Sequence, residues 1–299
     1  RPPRSTLFPY TTLFRSRFFT SQKMLGPKIQ DGTLRKNLVE PPWHCPDEYL
    51  NLPIHMRQFE MELLTPKAAD NGEVVLQLHG GGYIAKIRNA YRDFAVRYSK
   101  IDQYRVLSVD YRVAPQHPYP AAFQDAIEAY RWLLYSGFSG DRIILAGDSA
   151  GGGLVLALAM YLRDQSMPLP KKLVMMSPWT DLTASGPSYQ ENYENDPLFG
   201  NTRESMIYNG EYAGKQDPKL PYISPLFGDF RGLPPMLFQV GSLEMLLSDS
   251  VLAAQKAKEA GCDVTLTVYQ DMFHVFQLSM DKLAESRAAW DEVAAFLGK

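Results

Sequence analysis

Cysteine and histidine are scarce in this chain, which has two cysteines, Cys45 and Cys262, and five histidines among 299 residues. Cross-linked secreted scaffolds concentrate cysteine, and metal centres gather histidine, cysteine and carboxylates at short spacings. Neither pattern occurs, so no metal is expected and a reducing, cytoplasmic setting is the expected compartment. An excess of charge of one sign is also lacking. Thirty-one Lys plus Arg stand against 33 Asp plus Glu, a net charge of -2, which leaves no basic field for nucleic acid. Long apolar runs are missing too. The strongest, Gly151 to Leu162, falls short of the roughly 18 to 20 residues that span a bilayer and reads as a buried helix. No internal repeat and no low-complexity linker breaks the chain.

What is present is apolar material in a regular rhythm. At 45% hydrophobic residues, the composition suffices for a sizeable core. β-rich apolar runs occur at Arg57–Leu64, Glu73–His79, Tyr104–Tyr111, Arg142–Gly147, Lys172–Ser177, Met236–Gly241 and Asp263–Tyr269. Helical periods occur at Ala90–Ile101, Pro120–Ser136, Ala150–Gln165, Thr202–Tyr212, Ser248–Ala260 and Lys282–Leu297. Strand alternating with helix predicts an α/β protein with a mostly parallel central sheet covered on both faces. Sites in such sheets lie beyond the carboxyl ends of the strands.

Three stretches stand outside this rhythm. "TLFPYTTLFRS", Thr6 to Ser16, is the in-frame translation of a widely used short-read sequencing adapter, so residues 1–16 are expected to be non-native. Residues 17–56 precede the first predicted strand. Residues 183–225 form a long polar-aromatic insertion, and connections of this length are usually lids. The expected organisation is a catalytic domain of residues 57–182 and 226–299, capped by residues 17–56 and 183–225. Tyr189, Tyr193, Phe199 and Tyr208 of the insertion are expected to close a compact pocket.

The stretch "ILAGDSAGGGLVLALAM", residues 144–160, carries the chemistry. As a phosphate loop it fails, because Gly153 stands where a lysine belongs; as a dinucleotide fingerprint it fails at Leu156. It fits G-x-S-x-G, Gly147-Asp148-Ser149-Ala150-Gly151, between a strand and a helix, the setting of a nucleophile elbow. "LHGGGY", residues 78–83, matches the loop whose backbone N–H groups complete an oxyanion hole, so Gly81, Gly82 and Ala150 are the expected donors. His79 is expected to shape that loop and not to transfer protons. His274, in "YQDMFHVF" after the last strand, is the candidate base, since a serine hydroxyl is a weak nucleophile until a neighbour takes its proton. Between them, "VGSLEMLLSDS" offers Glu244 and Asp249 as the acid that orients the imidazole. The order Ser, acid, His is that of α/β-hydrolases.

These residues resemble the hormone-sensitive-lipase-like esterases, bacterial lipolytic family IV of the α/β-hydrolase superfamily. The likeness covers roughly residues 55–297 and rests on HGGG at His79–Gly82, "DYRVAPQHPYPAA" at Asp110–Ala122, "GDSAGGG" at Gly147–Gly153 and "SPWTDL" at Ser177–Leu182. Laying the family's D-P-L-x-D-[DE] on "EMLLSD" puts its first carboxylate at Glu244 and its last at Asp249, with glutamate where the family has aspartate. "HVF" stands where the family often has H-G-F. The resemblance implies an α/β-hydrolase fold with a helical cap and hydrolysis of short-chain acyl esters, with no cofactor. The implied partner is a small acyl ester, with no nucleic acid and no membrane span; a homodimer is the candidate assembly. An amidase or deacetylase would use the same groups. A non-catalytic receptor, like the plant gibberellin receptors that resemble this family, would have lost the histidine that this chain keeps. Glu244 follows its strand closely enough to reach His274, whereas Asp249 falls where a helix starts and is expected to favour that helix's dipole.

Overall fold

The computed structural model describes residues 40–298 apart from Glu204 and Asn209. The expectations for residues 1–16 and for 17–39 lie outside these described residues. Strands β1 (Tyr49–His55), β2 (Glu60–Pro66), β3 (Val74–Leu78), β4 (Arg105–Asp110), β5 (Ile143–Asp148), β6 (Lys172–Met176), β7 (Met236–Gly241) and β8 (Val264–Tyr269) form one sheet, ordered β1-β2-β4-β3-β5-β6-β7-β8. The β1–β2 and β2–β4 pairings are antiparallel, and every pairing from β4 across to β8 is parallel. The helices are α1 (Asn89–Asp102), α2 (Ala121–Tyr135), α3 (Ser149–Asp164), the single turn α4 (Ser188–Glu191), α5 (Leu247–Glu259) and α6 (Ala284–Leu297).

Every residue of β3, β5, β6 and β7 is buried, which is why these strands read as continuous apolar runs and not as alternating ones. Gln77, Asp148, Lys172 and Gln239 are the polar exceptions, and each of the two glutamines ties a helix to the sheet. Gln77 donates to the carbonyl of Tyr91 on α1 at 2.8 Å, and Gln239 donates to that of Ala289 on α6 at 2.8 Å. The apolar residues divide between the faces of the sheet: Leu145, Leu156 and Phe238 belong to one core, and Val75, Phe94 and Trp290 to the other. Among the described residues no helix is long and apolar enough to cross a membrane.

The structure differs from the sequence reading at two elements. The sheet does not begin at residue 57, because β1 adds an antiparallel edge strand with Leu52 opposite Leu63 and Pro53 opposite Glu62. Proline argues against a central strand, but an edge strand pairs on one side only and tolerates it. The helix expected at Thr202–Tyr212 does not form; the described residues there make turns. Tertiary contacts override the helical period in this run. The Tyr212 ring stacks on Tyr83 with centroids 3.7 Å apart, and a Cβ on Gly210 would lie 3.1 Å from the Trp179 ring.

Candidate active site

At the carboxyl end of β5 the chain turns directly into α3 through Ser149, whose φ of 52° lies in the left-handed region that a side chain normally avoids. The flanking glycines allow the turn. A Cβ on Gly147 would lie 2.5 Å from the Gly151 carbonyl oxygen, and one on Gly151 would lie 2.0 Å from that of Leu78, so neither position admits another residue without displacing backbone. The nucleophile elbow thus nests against the end of β3, where the HGGG loop begins. In that loop Gly81 and Gly82 have φ of 114° and 62°, which glycine adopts without penalty.

The loop is held by its neighbours. His79 is fully buried and stacks on Tyr111 with centroids 4.1 Å apart, while the Tyr111 hydroxyl donates to the His79 carbonyl at 2.6 Å. The Gly80 carbonyl, 2.7 Å from His79 Nδ1, can only accept, so that nitrogen carries the proton. Burial lowers the His79 pKa to about 4, which keeps the ring neutral. This matches the shaping role expected from the sequence.

Asp148, the second residue of the GDSAGGG motif, makes contacts the sequence reading did not assign. Its carboxyl accepts the Gly80 N–H at 3.0 Å and the Tyr91 hydroxyl at 3.1 Å, joining the elbow to the HGGG loop. Burial raises its pKa to about 7, with the Tyr91 hydrogen bond, the His274 charge and the Gly80 N–H opposing the rise only in part. The native protein therefore keeps a proton that the unfolded chain, with an aspartate pKa of about 4, has released. Stability from this source is present at acid pH and is lost as pH rises from about 4 to about 7. Asp148→Asn, a neutral replacement of the same shape, should remove that slope. Its unfolding free energy in urea, relative to the parent, is expected to rise by about 1 to 3 kcal/mol between pH 5 and pH 8. A pH-independent difference would mean that the native carboxyl ionises like that of the unfolded chain.

Ser149 at the start of α3 and Glu244 and His274 from the loops after β7 and β8 meet. His274 Nε2 lies 2.9 Å from Ser149 Oγ, and His274 Nδ1 lies 2.7 Å from Glu244 Oε2. A carboxylate oxygen accepts, so Nδ1 carries the proton and Nε2 presents its lone pair to the serine hydroxyl. The other oxygen of Glu244 accepts the Ser177 hydroxyl at 2.7 Å and the Gly241 N–H at 2.5 Å. Ser177 Oγ also accepts the N–H of Val275, next to His274, at 3.2 Å, so one hydroxyl braces both the acid and the histidine loop.

Asp249 does not join this group. It sits in the first turn of α5, as expected, and its carboxyl is buried against the segment after β6. It accepts the N–H groups of Thr180 and Asp181 at 2.7 and 2.8 Å and the Tyr189 hydroxyl at 2.9 Å. It clamps the segment after β6, a role the sequence reading did not assign. Burial and the nearby Asp181 push its pKa up.

Two side chains of the insertion reach the site. The Phe199 ring meets His274 edge-on with centroids 4.9 Å apart, and a Cβ on Gly82 would lie 2.7 Å from Met206 Sδ. Among the described residues no group of three or more His, Cys, Asp or Glu could hold a metal ion.

A mostly parallel sheet that lifts a serine on a strained strand-to-helix turn, with a histidine and a carboxyl group in line behind it, defines a hydrolase of the α/β type. Comparison with known proteins narrows the class. Residues 75–278 match the family described as alpha/beta hydrolase fold. An acetyl-hydrolase of Streptomyces hygroscopicus is 39% identical over 230 residues, 77% of each chain. A solved esterase from the bacterial hormone-sensitive lipase family matches with a TM-score of 0.80 at 35% identity, over 99% of this chain and 92% of that one. A mutant of the esterase E40 matches with a TM-score of 0.85 at 36% identity, over 96% of each chain. The chain belongs to the hormone-sensitive-lipase-like esterases, bacterial lipolytic family IV of the α/β-hydrolase superfamily, and is a carboxylic ester hydrolase.

Proposed function

We propose that the protein hydrolyses short-chain acyl esters through a Ser149–His274–Glu244 triad and a covalent acyl-enzyme. The observation that carries this reading is the unbroken hydrogen-bond chain from Ser149 Oγ through the His274 ring to Glu244. Ser149 Oγ attacks the ester carbonyl carbon while His274 Nε2 takes its proton, and Glu244 stabilises the imidazolium that results. The carbonyl oxygen, now negative, accepts hydrogen bonds from the N–H groups of Gly81, Gly82 and Ala150, the last in the first turn of α3, where backbone donors have no intrahelical partner. His274 returns the proton to the departing alkoxide, leaving the acyl group on Ser149. Water, activated by the same ring, then attacks the acyl carbonyl and releases the carboxylic acid and free serine.

Short acyl chains are favoured by what stands over the site. Phe199 against His274 and Met206 against Gly82 bring bulky side chains to the serine from the insertion. The relative from Streptomyces hygroscopicus is likewise described as an acetyl-hydrolase. A ladder of p-nitrophenyl esters from acetyl through butyryl, hexanoyl and octanoyl to dodecanoyl and hexadecanoyl tests the reading. We expect kcat/KM to peak at hexanoyl or shorter and to fall by about 10-fold or more by dodecanoyl, since an acyl chain that cannot enter the pocket forfeits its binding contribution. A maximum at the long, insoluble esters would refute the short-chain assignment. Matched ester and amide substrates separate an esterase from an amidase, and faster amide turnover would reject the ester reading.

A further inference from the structure

Two polar side chains of the insertion grip the loop that carries Glu244. Asn192 Nδ2 donates to the Glu244 carbonyl at 2.7 Å and to the Ser242 carbonyl at 3.0 Å. Asp196 Oδ2 accepts the Met245 N–H at 2.7 Å. The Glu244 carbonyl and the Met245 N–H are the two polar ends of a single peptide bond. A planar peptide held at both ends fixes the position of the preceding Cα, here the Cα from which the Glu244 side chain departs toward His274. Ser188 adds a third tie, donating to the Met245 carbonyl at 2.6 Å and accepting the Ser248 N–H at 2.8 Å.

The same anchor reaches the histidine from the other side. The second oxygen of Asp196 accepts the N–H groups of Leu198 and Phe199 at 2.7 and 2.9 Å, and the Phe199 ring packs on His274. Asp196 is fully buried, and a buried carboxyl group is costly to retain unless bonds such as these satisfy it. A glutamate also needs such support more than an aspartate would, because its extra torsion must be frozen to keep Oε2 in line with Nδ1.

We infer that Asn192 and Asp196 are positioning residues: they hold the 244–245 peptide so that Glu244 meets His274, making the inserted segment part of the apparatus that aligns the acid. This rests on the reading of Glu244 as the acid of the triad.

The alternative is that these bonds merely satisfy buried backbone groups, as any loop requires. A double-mutant cycle separates the two. Asn192→Ala and Asp196→Asn are each made in the parent chain and in Glu244→Gln, and kcat and KM for p-nitrophenyl acetate are measured well below each protein's melting temperature. Asp196→Asn keeps the side chain's volume and one acceptor oxygen, so it leaves the fold in place even if Asn192→Ala does not. In the parent chain each replacement is expected to lower kcat by about 10- to 100-fold, the loss typical of a displacement near 1 Å, with KM within about 2-fold. In the Glu244→Gln background, where the acid no longer acts, the same replacement should change kcat by less than about 2-fold. Equal losses in both backgrounds would overturn the inference while leaving the triad intact. A Glu244→Gln enzyme with undiminished kcat would overturn the triad reading itself, and the inference with it.

Discussion

Ser149→Ala is expected to lower kcat for p-nitrophenyl acetate by about 10³- to 10⁶-fold while leaving the melting temperature nearly unchanged. The change removes one oxygen whose hydrogen bond goes to His274 Nε2 at 2.9 Å, and the backbone of the turn is set by its glycines and by the packing of α3. His274→Ala should cost as much in turnover, with some loss of stability as well, because it leaves the buried Glu244 carboxyl short of one partner. The double variant should be little worse than either single one, since the triad acts as a unit. A serine-directed organophosphate should label Ser149 alone in the parent chain and nothing in Ser149→Ala. Substantial turnover by either single variant, or labelling at another serine, would remove Ser149 from the role of nucleophile.

Glu244→Gln is the second large effect, and the geometry explains its size. The amide oxygen can keep the hydrogen bonds from Ser177 and Gly241, which places the amide nitrogen against His274 Nδ1. Two donors cannot face each other, so the ring is driven to the tautomer with its proton on Nε2, pointing at the serine it should deprotonate. Loss of kcat by about 10² to 10⁴ follows, with the fold retained. Asp249 gives the opposite pattern. Asp249→Ala leaves the N–H groups of Thr180 and Asp181 without their acceptor inside the protein and takes from the Tyr189 hydroxyl the nearer of its two. A destabilisation of about 2 to 4 kcal/mol is expected from these unmade bonds, with the smaller effect on kcat at temperatures where the protein stays folded. Asp249→Asn, which keeps an oxygen for the two backbone donors, should cost about 1 kcal/mol or less. If the kcat losses came in the reverse order, the acid would have to be reassigned to Asp249.

The sequence alone determined the strand-and-helix alternation of an α/β protein, the serine on its turn and the glycine loop facing it. It also determined the chain order of the serine, the carboxyl group and the histidine. These were legible because each is a local demand on the backbone: buried strands need unbroken apolar runs, and Gly147 and Gly151 stand where a Cβ would strike main chain. The tertiary structure decided which carboxyl group meets the histidine, since Glu244 and Asp249 stand five residues apart in one segment and the chain carries them to different partners. It alone brought β1 to the sheet edge despite Pro53 and undid the helix expected at 202–212. It also gave Asp148, Ser177, Asn192 and Asp196 their partners. Except for the ties from Asp196 to Leu198 and Phe199 in its own loop, those partners lie about 50 to 100 residues away along the chain and sit within hydrogen-bond reach only once the sheet is assembled. Periodicity and motif report what a segment needs from its own backbone, whereas a carboxyl group acquires its role from the donors that folding brings to it.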